Sequence, residues 1–230
     1  MGKDGKNAET LMACFDQLGA ERCKKILVVT MDMSAAYIKA VREKLPQAQI
    51  VFDRFHVQKL VGEALDETRR QLWQEMRGTE EADEIKGMRW ALLKSPWNLT
   101  PEQDASLASL QRTNKALYRA YLMKEKFAEI LDRKQVNVVE AELRKWMAWA
   151  RRSKLPAFKK VANTIETHLN DIVAYVRWKL SNGIVEGLNN KARLLTRRAY
   201  GFHSAEAVIS MIMLCCSGIE LEPVRKFLNS

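Results

Sequence analysis

The run Ile26-Leu27-Val28-Val29-Thr30-Met31 ends in a carboxylate, Asp32, and a second short run, Gln49-Ile50-Val51-Phe52, ends in another, Asp53. Between them, Ser34 to Leu45 has the length and spacing of a helix, stopped near Pro46 because the residue before a proline avoids the helical region. Strand, helix and strand at this separation predict a βαβ unit with parallel strands. The first run is continuous and rich in β-branched residues, the pattern of a strand buried on both faces. This one unit places the chain in the α/β class.

After Asp53 the strand signal disappears. Val57, Leu60, Val61, Ala64, Leu65, Leu72 and Met76 stripe one face of a helix over about 55–77. Further helices are expected at 81–93, 101–114, 115–133, 136–152 and 156–180, then at 184–199 and 205–217. Upstream, Leu11, Cys14, Phe15 and Leu18 mark a short amphipathic helix over 9–18. Thr100 before Pro101, with Glu102 and Asp104 behind, is a helix start with a cap, a proline in the first turn and acidic residues at the positive end. The expected architecture is an α/β core with two parallel strands and a large all-helical insertion, predominantly helical overall. Its divisions fall at 1–78 (core), 79–180 (helical insertion) and 181–230 (two helices completing the core).

Asp32 and Asp53 sit where α/β folds collect ligands, at the C-terminal ends of parallel strands. Adjacent strands lie ~4.8 Å apart, so the two are expected to be neighbours. Each also has a plainer reading: Asp32 or Ser34 as the cap of the helix after the first strand, and Asp53 as the cap of the helix after the second. His56, three residues after Asp53, either packs in the first helical turn or meets a metal or a phosphate. For Asp53 and His56 a structural or supporting role is favoured. Glu186 heads a helix with two faces: Val185, Leu188, Ala192, Leu195 and Ala199 form an apolar stripe, and Glu186, Asn190, Arg193 and Arg197 another row. No acidic residue occurs between Gly187 and Ala205, whereas Lys191, Arg193, Arg197 and Arg198 do. A metal-binding carboxylate followed by phosphate-binding side chains suits phosphoryl transfer. An N-terminal Glu satisfying the helix dipole, with a solvated basic face behind it, is the alternative.

Net charge is +10 over 230 residues, which favours a polyanionic partner through counterion release. The four cysteines (Cys14, Cys23, Cys215 and Cys216) lack metal-ligand spacing, so neither structural zinc nor a disulfide framework is expected. With no transmembrane or signal segment read and no disulfide framework, the setting expected is a reducing cytoplasm. Six tryptophans (Trp73, Trp90, Trp97, Trp146, Trp149 and Trp178) lie outside both strands. Most are expected in helix packing, and stacking on an unpaired base is the alternative for one of them.

Three motifs together resemble the ISL3 family of insertion-sequence transposases: Val29-Thr30-Met31-Asp32 through Tyr37, Pro46 through Val57, and Ser181-Asn182-Gly183 through Asn189 followed by Arg197-Arg198-Ala199-Tyr200-Gly201-Phe202. The resemblance spans nearly the whole chain. It implies a DDE catalytic domain of RNase H-like fold, with Asp32 as the second carboxylate and Glu186 as the third. Asp53 and His56 match the family's Asp-x-x-His element. It implies two Mg²⁺ or Mn²⁺ ions held in part by Asp32 and Glu186, cleavage at transposon ends, and strand transfer to target DNA. Asn190, Lys191, Arg193, Arg197 and Arg198 are then the expected DNA contacts, and a homo-oligomer the expected assembly. The first aspartate of the family pattern belongs on a strand upstream of the helix at Glu9; Asp4 and Asp16 lack that context. The chain therefore reads as truncated and not competent alone. The alternative is a non-catalytic DNA-binding or oligomerisation module derived from a transposase.

Overall fold

The computed structural model describes residues 8–178, 183–198 and 204–216. They form a predominantly helical α/β protein with one two-stranded parallel sheet. Strand β1 (Val28–Met31) pairs with β2 (Gln49–Phe52) in the register Val28 to Gln49 through Met31 to Phe52. The connection is α3 (Ala35–Lys44). The βαβ reading is borne out, but β1 is not buried on both faces. Thr30 is exposed and Val28, Val29 and Met31 are half-buried, because the helix over Leu169–Trp178 packs on β2 and not on β1 among the described residues. In β2, by contrast, Ile50, Val51 and Phe52 are all buried.

The chain divides into two compact units. The first comprises Met1–Leu27, Ala35–Ala48 and Ser181–Ser230. In it α1 (Ala8–Leu18) packs on α3, with Lys44 and Asp16 ion-paired at 2.5 Å. The short α2 (Ala20–Cys23) and its exit are tied by the Gln47 amide, which donates to the carbonyls of Cys23 (2.8 Å) and Ile26 (3.2 Å). Near the C-terminus α12 (Gly183–Arg198) and α13 (Ala205–Cys216) pack on each other.

The second unit comprises Val28–Ser34 and Gln49–Leu180. Its axis is α4 (Arg54–Glu75), which packs against α5 (Glu80–Gly87), α6 (Arg89–Leu93), α8 (Lys115–Asp132) and α10 (Pro156–Thr167). Helix α7 (Pro101–Thr113) begins in a full capping box between Thr100 and Gln103, with Pro101 in its first turn. Helix α9 (Val136–Arg152) closes the core. There Trp146 is buried beside Phe127 and Phe158, ring centroids 4.9 and 6.2 Å away, and its indole N–H donates to the Met123 carbonyl at 2.9 Å.

The sequence pattern predicts one helix over 156–180, and the structure has two. After α10 the chain turns at His168 and continues as α11 (Leu169–Trp178), which packs on β2. The reorientation brings His168 edge-on to Phe52, centroids 5.3 Å apart, and lets Gln49 donate to Asp171 at 3.0 Å. A break at Met88 likewise divides the helix expected over 81–93 into α5 and α6.

Candidate active site

At the C-terminal rim of the sheet the pairing of Met31 with Phe52 is followed by Asp32 on one strand and Asp53 on the other. The Asp53 N–H donates to the Met31 carbonyl at 3.0 Å, so the ladder continues to the first carboxylate-bearing residue. The two aspartates therefore leave the same end of the sheet, as strand spacing alone requires.

Asp53 also caps the helix that follows, while Asp32 closes a turn ahead of α3. Asp32 is exposed, and its Oδ1 accepts the Ser34 N–H at 3.0 Å just before α3. Asp53 is the N-cap of α4, with an extended backbone, and accepts the Phe55 N–H at 2.9 Å. Its other oxygen lies 3.6 Å from His56 Nε2, and the His56 ring meets Phe55 edge-on at 5.7 Å. Capping and metal binding do not compete here, because a carboxylate offers two oxygens and roughly four acceptor directions. Hard oxygen donors of this kind suit Mg²⁺ or Mn²⁺. Among the described residues no three His, Cys, Asp or Glu side chains converge as a metal site. The side chain of Glu186 lies outside those described.

The rim belongs to the second unit and α12 to the first. On α12, Asn190, Lys191, Arg193, Arg197 and Arg198 are all exposed, while Ala192 and Leu195 are half-buried. Among the described residues none of the four cations is ion-paired. Elsewhere on the chain Lys126, Arg133, Arg144 and Lys145 each hold a carboxylate. An uncompensated basic row concentrates positive potential where it stands and favours phosphate. Asp16, weighed as a carboxylate from the sequence, is on a helix and engaged with Lys44; Asp4 lies outside the described residues.

Sequence reasoning did not find the cluster around Asp66. This half-buried carboxylate in α4 meets Arg69 at 2.8 Å, Arg70 at 3.4 Å and, from α6, Arg89 at 3.7 Å. Arg69 and Arg70 are legible as helix neighbours three and four residues on. Arg89 has no local signal, since only the packing of α6 on α4 brings it there.

The chain belongs to the ISL3-type family of DDE transposases, whose model, described as a transposase, matches residues 1–212. It is 37% identical over 236 residues to the transposase for insertion sequence element IS1557 of Mycobacterium tuberculosis, covering 93% of this chain and 53% of that protein. It is 31% identical over 204 residues to the transposase for insertion sequence element IS1001 of Bordetella parapertussis, covering 88% of this chain and 50% of the relative. The chain thus spans about half the length of the curated relatives it matches. No solved structure matches it.

Proposed function

We propose that this chain acts in DNA transposition, as part of a DDE transposase that cleaves and joins strands at transposon ends. Family membership over residues 1–212 carries the reading. On this proposal 1–78 and 181–230 form an RNase H-like core and 79–180 an inserted helical region. Asp32 and Glu186 hold Mg²⁺ or Mn²⁺, which when bound lowers the pKa of an attacking water and offsets charge at phosphorus. The exposed row Asn190, Lys191, Arg193, Arg197 and Arg198 tracks the DNA backbone and sets its register. Asp53 holds the His56 imidazole at the rim and starts α4, so its role is positioning. A homo-oligomer working on two transposon ends, in a bacterial cytoplasm and at the nucleoid, completes the proposal. Among the described residues no helix is long and apolar enough to cross a membrane.

A second reading, a DNA-binding or assembly module without chemistry, is favoured by the structural turn in which Asp32 accepts the Ser34 N–H. Calorimetric titration of Mn²⁺ into the chain and its Asp32→Asn and Glu186→Gln variants separates the two. Asn at position 32 keeps the Oδ1 acceptor for the Ser34 N–H, so folding is retained while the anionic ligand is lost. The expected outcome is Mn²⁺ binding in the parent that weakens at least about tenfold in each variant, about 1.4 kcal/mol or more. Binding of duplex DNA is expected to persist in both. Absence of Mn²⁺ binding in the parent, with DNA binding intact, would fit either the module or a core without its first aspartate, and would not support metal binding by Asp32 and Glu186 in this chain.

A further inference from the structure

We infer that a cleft in the second unit, walled by Phe55 and Trp97, receives an unpaired nucleobase of the DNA substrate. The inference rests on the DNA-directed function proposed above and adds a binding site to it.

The cleft has a volume of about 420 Å³ and lies among α4, α6, α8 and the 3-10 turn Pro96–Asn98. That is the size of an ordinary small-ligand site, ~300–1,000 Å³. Val61 and Phe127, both buried, contribute its apolar lining. Gly62 also lines it, from the interior of α4, where glycine is among the poorest helix formers. Without a side chain there, the helix surface stays open to the cleft.

Two large aromatic side chains are left in water at this cleft: Phe55 is 68% exposed and Trp97 78%. Trp97 is carried on an anchored turn. On one side the Lys124 ammonium donates to the carbonyls of Leu92 and Lys94, each at 2.8 Å. On the other the Thr100–Gln103 capping box starts α7, and Gln103 also accepts from Lys94 at 3.1 Å. An exposed ring on a pre-ordered backbone is a stacking platform whose ordering cost is already met.

Charge at the cleft argues for a nucleotide over an aromatic protein side chain. The exposed charged residues lining it are Lys59, Arg70 and Arg89, against the single carboxylate of Glu63. Of the remaining acids, half-buried Asp66 is shared by Arg69, Arg70 and Arg89, and half-buried Glu125 pairs with Lys124, so cations still outnumber carboxylates around the cleft. An apolar, aromatic slot rimmed by cations fits a base together with its flanking phosphates. A base within an intact duplex has both faces covered, so the slot takes one that is single-stranded or extruded.

The test measures fluorescence anisotropy of three labelled DNAs with the 230-residue chain: a short single strand, its perfect duplex, and that duplex with one unpaired nucleotide. Trp97→Ala and Phe55→Ala, both at exposed positions, should each weaken the single strand and the bulged duplex about tenfold. The perfect duplex should stay within about twofold, and Trp97→Phe should recover most of the loss. Iododeoxyuridine at the unpaired position should photo-crosslink to Trp97 or Phe55. Equal losses on all three DNAs, no loss on any, or a crosslink mapping elsewhere would overturn the cleft while leaving DNA binding intact. If Trp97→Ala instead abolished self-association in sedimentation and left DNA affinities unmoved, the occupant would be a second copy of the chain. A parent chain that bound none of the DNAs would remove the DNA-directed function itself, and this inference with it.

Discussion

Asp53 accepts the Phe55 N–H with one oxygen and so starts α4, and its other oxygen lies 3.6 Å from His56 Nε2 at the sheet rim. Asp53→Ala should therefore lower stability by about 1 kcal/mol, the usual worth of an N-cap, while Asp53→Asn stays close to the parent. Urea unfolding of the two variants checks this, and equal stability of all three proteins would mean that the cap contributes nothing. Sequence alone reached this far because capping is local: Asp53 and Thr100 each stand immediately before a helix and accept a backbone N–H as their positions imply. Exposure was less legible. Trp146 is buried, whereas Trp90 and Trp178 are exposed, although all three look alike as apolar residues in helical segments. Which face of a helix is covered depends on its neighbours in space.

The helices sort in the same way. The turn from α9 to α10 was legible in Pro156, and the structure places there Ser153, whose hydroxyl donates to Ala150 O at 2.7 Å and accepts the Leu155 N–H at 3.2 Å. The Arg119 guanidinium donates to the Ser153 carbonyl at 3.1 Å. Lys154 follows with φ 62°, the left-handed conformation that costs a residue bearing Cβ. Lys154→Gly should raise stability by about 1 kcal/mol, and Lys154→Val should lower it by a similar amount. Thermal melts of the pair read out the sign, and a destabilised glycine variant would show that the lysine side chain contributes contacts of its own. The break at His168 had no such punctuation, since the apolar period runs through it without proline or glycine. It is imposed from outside, by the packing of α11 on β2.

At the scale of the whole molecule, burial raises the phenols of Tyr121 and Tyr175 to about 12. Tyr175 is further held in its neutral form by donating to the Leu131 carbonyl. Their folded pKa values exceed those of the unfolded chain, so the folded state holds these protons longer as pH rises. The associated stability is complete below about pH 10 and is lost towards about pH 12. Lys124 acts in the opposite sense, since burial lowers its pKa and favours the folded state as pH climbs towards the ordinary lysine value. A Tyr121→Phe/Tyr175→Phe double variant should lose less stability than the parent between pH 10 and 12 in denaturant titrations. Equal slopes would show that neither phenol is protected by the fold.

What the sequence determined by itself was local or periodic. It specified the βαβ unit, the rim position of Asp32 and Asp53, the helical character of nearly everything after Asp53, and the basic row on α12. Each follows from the pattern of apolar residues, from capping chemistry, or from the spacing of charges along one helix. The tertiary structure alone decided the burial of β2 under α11, the turn at His168, the Arg89 contact to Asp66, and the cleft that Phe55 and Trp97 wall. All four join residues far apart in the chain. Their energies come from burial and ion pairing between separate elements, and no local pattern in the chain encodes which elements will meet.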